Sequence, residues 1–161
     1  MTGVTKRQRG QHVFDKIITG SIYGYPAAPK AVTSIVSADL FLIKNGPVRI
    51  RAILGHITTV IQTSANSLKL THTPTGGAAV DLCAAADMTG SAQHKFLVIT
   101  GTKANAIAAS ADLGVAVGPL ATPLIVLPGK ISLHGTHTTT GAVTWYVFYD
   151  PLTDDAVVEP A

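Results

Sequence analysis

This 161-residue chain is short of the residues that furnish a reactive pocket. It holds a single cysteine, Cys83, so no disulfide can form within it. Cys83 lies in the apolar run 80–84, where a buried, inert thiol is expected. A nucleophilic cysteine needs a basic, partly exposed setting. Charged residues make up 13% of the chain, about half the usual ~25%, so part of the surface is expected to be covered by other subunits. Between Phe41 and Trp145 the only Phe, Tyr or Trp is Phe96, which leaves few platforms for stacking sugars.

Acidic residues are equally scarce. Between residues 41 and 149 the carboxylates are Asp81, Asp87 and Asp112. Only the first two are close enough in sequence to suggest an acid–base pair, and turn or capping roles suit Asp87 and Asp112 better. The glycines at 75–77 and in the segment 101–104 lack the spacing of a phosphate-cradling loop, and no serine has the flanking glycines of a nucleophile elbow. Catalysis is therefore not expected, nor is a cofactor or a bound metal. The longest apolar runs fall far short of the ~18–20 residues that span a bilayer. The first bases are not followed by an apolar stretch, so the chain is expected to carry no signal peptide and to be made in a cytoplasm.

What the chain does have is a partition of charge. Residues 1–30 carry Lys6, Arg7, Arg9, Lys16 and Lys30 against Asp15, a net of +4. The last twelve residues carry Asp150, Asp154, Asp155 and Glu159 and no base, a net of −4. Three zones follow: an extended basic N-terminal arm over 1–40, a β body over 41–152 and an acidic tail over 153–161. Pro26 and Pro29 exclude a regular helix or central strand from the end of the arm. Phe14, Tyr23 and Tyr25 are its candidate anchors. The KRQR run at 6–9 offers phosphate contacts, but with no interleaved aromatics a protein surface is the better partner than nucleic acid.

The body reads as strands punctuated by turns. Alternation or β-branched runs predict strands at 41–44, 48–54, 56–61, 67–72, 79–83, 95–100, 114–117, 124–127, 130–134 and 142–149. A short helical turn is expected over 84–90. Within 48–54, Val48, Ile50, Ala52 and Leu54 share one face, and Arg49 and Arg51 the other. These arginines are either solvated or paired with carboxylates such as Asp154 and Asp155. Within 142–149, Val143, Trp145 and Val147 oppose Tyr146 and Phe148, so both faces are apolar. Strands this short and regularly spaced predict an all-β fold: an antiparallel β-sandwich, or a jelly-roll or barrel-like body, with an extended N-terminal arm. His134 and His137 lie three apart in a Gly/Thr loop. His56, His72 or His94 could complete a metal site with them only through the fold, so solvated loop histidines are expected.

Three segments, 46–62 (GPVRIRAILGHITTVIQ), 73–90 (TPTGGAAVDLCAAADMTG) and 141–152 (GAVTWYVFYDPL), resemble small β-rich capsid decoration (cement) proteins of tailed bacteriophages. The resemblance implies a non-enzymatic virion structural protein on the outer capsid surface. It implies self-association as a trimer and the major capsid protein as partner, with no membrane involved. The alternative is a receptor- or glycan-binding module of a phage tail or fibre, with contacts on loops such as 134–141. For either, the interface candidates are Phe14, Tyr23 and Tyr25 in the arm, and Arg49, Arg51, Trp145 and Tyr146 in the body.

Overall fold

The computed structural model describes residues 25–161 apart from residues 36, 63–65, 117 and 118. Phe14 and Tyr23 thus lie outside the described residues. Strands form at β1 (Tyr25–Pro26), β2 (Lys30–Ile35), β3 (Ala38–Lys44), β4 (Val48–Thr59), β5 (Ser67–Pro74), β6 (Val80–Asp81) and β7 (Ala86–Asp87). They continue with β8 (Phe96–Val98), β9 (Ala108–Ala109), β10 (Leu124–Val126), β11 (Gly129–Gly135), β12 (Thr139–Pro151) and β13 (Val157–Pro160). No helix occurs among the described residues. All pairings between strands are antiparallel.

A seven-stranded sheet runs β1-β12-β4-β8-β9, with β2 also on β12 and β10 also on β4. A six-stranded sheet runs β13-β3-β11-β5-β6, with β7 also on β5. The two share one core, which includes Phe41, Leu68, Leu70, Ile131 and Leu133 from the second sheet and Ile50, Ile53, Ile57, Trp145 and Val147 from the first. This is the β-sandwich that the strand pattern predicts, and burial of one face of each sheet is what holds it together.

Two corners pass the chain between the sheets. One is Asn45–Pro47, where Asn45 takes a left-handed φ of 65°; it joins β3 to β4 rather than closing a hairpin. The other, Leu152–Ala156, joins β12 to β13. The two pack together: the Leu152 N–H donates to the Pro47 carbonyl at 3.0 Å, and a Cβ on Gly46 would overlap Thr153.

The zones expected from charge give way to the ladder. Residues 25–26 and 30–35, assigned to the arm, pair with β12, and Val157–Pro160, assigned to the tail, pair with β3. Pro26 fits because β1 is an edge strand. Lys30 lies opposite the inward-facing Trp145, and its ammonium donates to the Ala161 carbonyl across the open side of the sandwich. An inward-pointing lysine on an edge strand discourages uncontrolled pairing with other chains. The runs 48–54 and 56–61 belong largely to one strand, β4. The expected helical turn over 84–90 is a bridge at Ala84 followed by β7, and residues 114–116 lie outside any strand.

His72 gives the sandwich a pH dependence. It is buried on β5 with Nδ1 3.2 Å from the Lys130 carbonyl, while Nε2 has no partner among the described residues. Burial pushes its pKa below the ordinary imidazole value, and the carbonyl only partly opposes this. A depressed histidine contributes stability that is present above its unfolded pKa and lost as pH falls towards the folded one. Urea midpoints are thus expected to fall between about pH 7 and pH 5, before the carboxylates titrate. His72→Leu is expected to flatten that window; an unchanged slope would discard the assignment.

Candidate interaction face

The two outer faces of the sandwich differ in chemistry. On the six-stranded sheet the outward side chains tie neighbouring strands by ion pairs: Lys44 to Glu159 at 2.6 Å, Lys130 to Asp39 at 2.9 Å and Lys69 to Asp81 at 2.8 Å. Ser132 adds a hydrogen bond to Asp39 at 2.7 Å. The Lys130 and Ser132 hydrogen bonds hold the Asp39 carboxyl below the usual carboxylate range, and Lys69 does the same for Asp81. A face of this kind is at home in water.

The seven-stranded sheet is built otherwise. Its outer face is set by a β-bulge in β4, where Tyr149 pairs with Ile50 and Phe148 with Ala52, leaving Arg51 as the extra residue. A bulge puts two successive residues on one side of the sheet and inverts the alternation beyond it. Val48 and Ile50 therefore face the core before the bulge, and Ile53, Gly55 and Ile57 after it. Leu54, expected to share the Val48 face, is turned outward and half-buried.

The outward rows can be read from the register. Leu54 lies between Tyr146 and Val98, and His56 between Thr144 and Phe96. The His56 ring stacks on His94 with centroids 5.9 Å apart and meets Phe96 at 5.2 Å. His94 holds this place from a left-handed φ of 69°, a conformation histidine visits more readily than most residues. Phe148, two residues beyond Tyr146, continues the apolar row.

Next comes a charged cluster. The Asp150 Oδ2 accepts from Arg49 Nε at 2.9 Å and from Arg51 Nε at 2.6 Å. Burial alone would raise the Asp150 carboxyl, but the hydrogen bonds and charges of Arg51 and Arg49 outweigh it and hold the group below the usual range. Past the cluster, Ile125 sits opposite Arg49, with Leu127 two residues on and Leu152 hydrogen-bonded to Pro47. These three are 69%, 58% and 46% exposed.

Three of the four body candidates, Arg49, Arg51 and Tyr146, thus share one outer face. Trp145 does not: it is fully buried between the sheets and so makes no contact outside the folded body. The arginines pair with Asp150 rather than with Asp154 or Asp155, which are exposed. The Tyr25 backbone pairs with Tyr149 at the edge of the same sheet. His134 and His137 are exposed: His134 lies 3.4 Å from the Ser37 hydroxyl, and the His137 N–H donates to Asn66. Among the described residues no group of three or more His, Cys, Asp or Glu is placed to hold a metal. Cys83 is buried as expected, and burial pushes its thiol up.

Sequence spacing alone brings neither His56, His94 and Phe96 together nor Ile125 and Leu127 to the surface. The run LIVL at 124–127 carries the pattern of a buried strand, and nothing local shows that it pairs with the start of β4. Asp150→Asn tests the charged cluster. It is expected to cost about 1 kcal/mol at neutral pH, since the pairs are partly solvated. Because Asp150 has a depressed pKa, the difference from wild type should begin to shrink as pH falls below about 4 and continue to shrink towards the lower folded value. Denaturant midpoints of the two proteins at pH 7 and pH 3 check this.

Comparison with protein-family models, with curated proteins and with solved structures finds no match to this chain.

Proposed function

We propose that the protein is a non-enzymatic virion structural protein, a capsid decoration subunit that self-associates as a trimer and stabilises the phage head. The observation that carries this reading is the unequal chemistry of the two outer faces. A free-standing sandwich solvates both. Here one is laced with ion pairs, and the other carries the half-buried Leu54, Phe96, Tyr146 and Phe148 beside an Arg–Asp–Arg cluster. Aromatic residues and arginine are the types enriched at protein–protein interfaces, and an extended apolar face marks a surface that a partner covers. The strands that carry it, β4 and β12, are the two longest among the described residues and lie in the interior of their sheet, so the face is rigid. The virion setting comes from the resemblance of segments 46–62, 73–90 and 141–152 to capsid decoration proteins.

Immunogold labelling of purified particles from the source tests the setting. Gold over the head shell is the expected result. Gold at the tail tip would replace the decoration role with the receptor-binding one. A protein absent from particles would remove the virion reading altogether.

A further inference from the structure

The direction of β1 and the composition of the chain before it point to what covers the exposed end of the apolar face. β1 runs antiparallel to β12, with Pro26 opposite Phe148 and Tyr25 opposite Tyr149. Tyr25, the first residue of β1, therefore stands at the end of the sandwich where Asp150 and Pro151 close β12. Ile125, Leu127 and Leu152 are exposed at this end. Asp154 and Asp155 follow in the adjoining corner, exposed and in no ion pair among the described residues.

The 24 residues before Tyr25 have the complementary chemistry. Lys6, Arg7, Arg9 and Lys16 stand against Asp15, a net of +3, and Phe14, Ile17 and Ile18 supply apolar side chains. A segment of that length spans up to roughly 80 Å when extended, about twice the ~43 Å of a thirteen-residue strand such as β12. A reach of that size is enough to bridge two bodies, as contact with a neighbouring copy requires.

We infer that residues 1–24 of one copy dock on the Ile125, Leu127 and Leu152 end of a neighbouring copy, with the bases on Asp154 and Asp155. This inference rests on the reading of the protein as self-associating and names the contact that links the copies. The attraction between arm and acidic corner sets the encounter and is screened by salt, while the apolar contacts hold the complex.

Two variants test it by complementation. The chain lacking residues 1–24 keeps every described strand, so it has the patch and no arm. The full chain carrying Ile125→Ser and Leu127→Ser has the arm and no patch, and both positions are exposed. Equal thermal midpoints with wild type check that each is folded. In sedimentation velocity the wild-type chain is expected to associate, and each variant alone to associate at least tenfold more weakly. Mixed, the two variants are expected to form a heterocomplex that dissociates on raising sodium chloride from about 50 to 500 mM. A truncated chain that assembles as wild type, or a mixture that stays monomeric, overturns the inference. Neither result bears on gold labelling of the head, so loss of this contact and loss of the virion role remain distinguishable.

Discussion

Trp145→Ala is expected to cost about 3–5 kcal/mol, a large share of the ~5–15 kcal/mol that holds a domain of this size together. The indole is fully buried, with Val143 and Val147 on the same face of β12. Directly across the ladder stands Gly55, and the missing side chain there is what makes room for the ring. A Cβ at position 55 would lie 3.0 Å from two ring carbons and 2.9 Å from Val143. Gly55→Val should therefore destabilise as well, by overpacking, at about 1–3 kcal/mol. The two changes are coupled through one volume. The double variant is thus expected to be more stable than the sum of the single losses implies, by more than about 0.5 kcal/mol. Urea unfolding of the four proteins measures this directly, and strict additivity would refute the shared-volume account. The indole N–H has no acceptor among the described residues, so Trp145→Phe should lose well under half of what alanine loses. None of these changes removes an outward side chain, yet Tyr146 depends on the same backbone. A loosened Trp145 should blur the interaction face even where the variant remains folded.

The sandwich was legible because its strands are written in β-branched residues at a period of two, with Asn, Gly and Pro between them. The six residues of Ser67–His72 show why this works. Leu68 and Leu70 are buried as the alternation requires, and Lys69 reaches out to Asp81. Legibility stopped where the outcome depends on a partner distant in sequence. Nothing in the sequence Arg51–Ala52 announces a bulge, because the extra residue exists only relative to Phe148 and Tyr149 on β12. The face that Leu54 takes depends on that bulge. Both faces of 142–149 are apolar, so the alternation separated Trp145 from Tyr146 without saying which one is inside. The second sheet decides that by packing on Trp145. Ala84–Gly90 is rich in a good helix former, but pairing of Ala86 and Asp87 with Leu68 and Ser67 overrides the propensity. In the tail, charge masked a visible signal. Val157 and Val158 sit among the acids, and Val158 is buried in the core while Glu159 pairs with Lys44. The alternation does predict the side of the arginines, because Arg49 precedes the bulge and Arg51 is the bulged residue itself. Their partner is not legible, because the alternation that predicts a strand over 142–149 stops one residue short of Asp150, which β12 includes.

Gly129→Ala is expected to have the second large effect, and it reaches the other sheet. Gly129 opens β11, which lies between β3 and β5, and its φ of 154° is a conformation other residues rarely adopt. A Cβ there would lie 2.2 Å from the Thr73 carbonyl oxygen and 2.6 Å from the Pro74 Cα. These are backbone atoms of a paired strand and have no rotamer to yield. The cost combines backbone strain of about 1–3 kcal/mol with overpacking of similar size, giving about 2–6 kcal/mol in all. Gly76 provides the control. It too has a positive φ, 76°, but a Cβ there would meet nothing within 4 Å. Gly76→Ala should therefore show the conformational cost alone, about 1–2 kcal/mol. If the two alanine variants unfold at the same urea concentration, the close approach at Gly129 is not what sets its identity. If Gly129→Ala is the weaker by the margin expected, β11 cannot shift without disturbing its neighbours. The ion pair from Lys130 to Asp39 and the contact from Lys130 to His72 begin one residue on. The variant that remains folded should therefore also show an altered pH dependence between about pH 7 and pH 5.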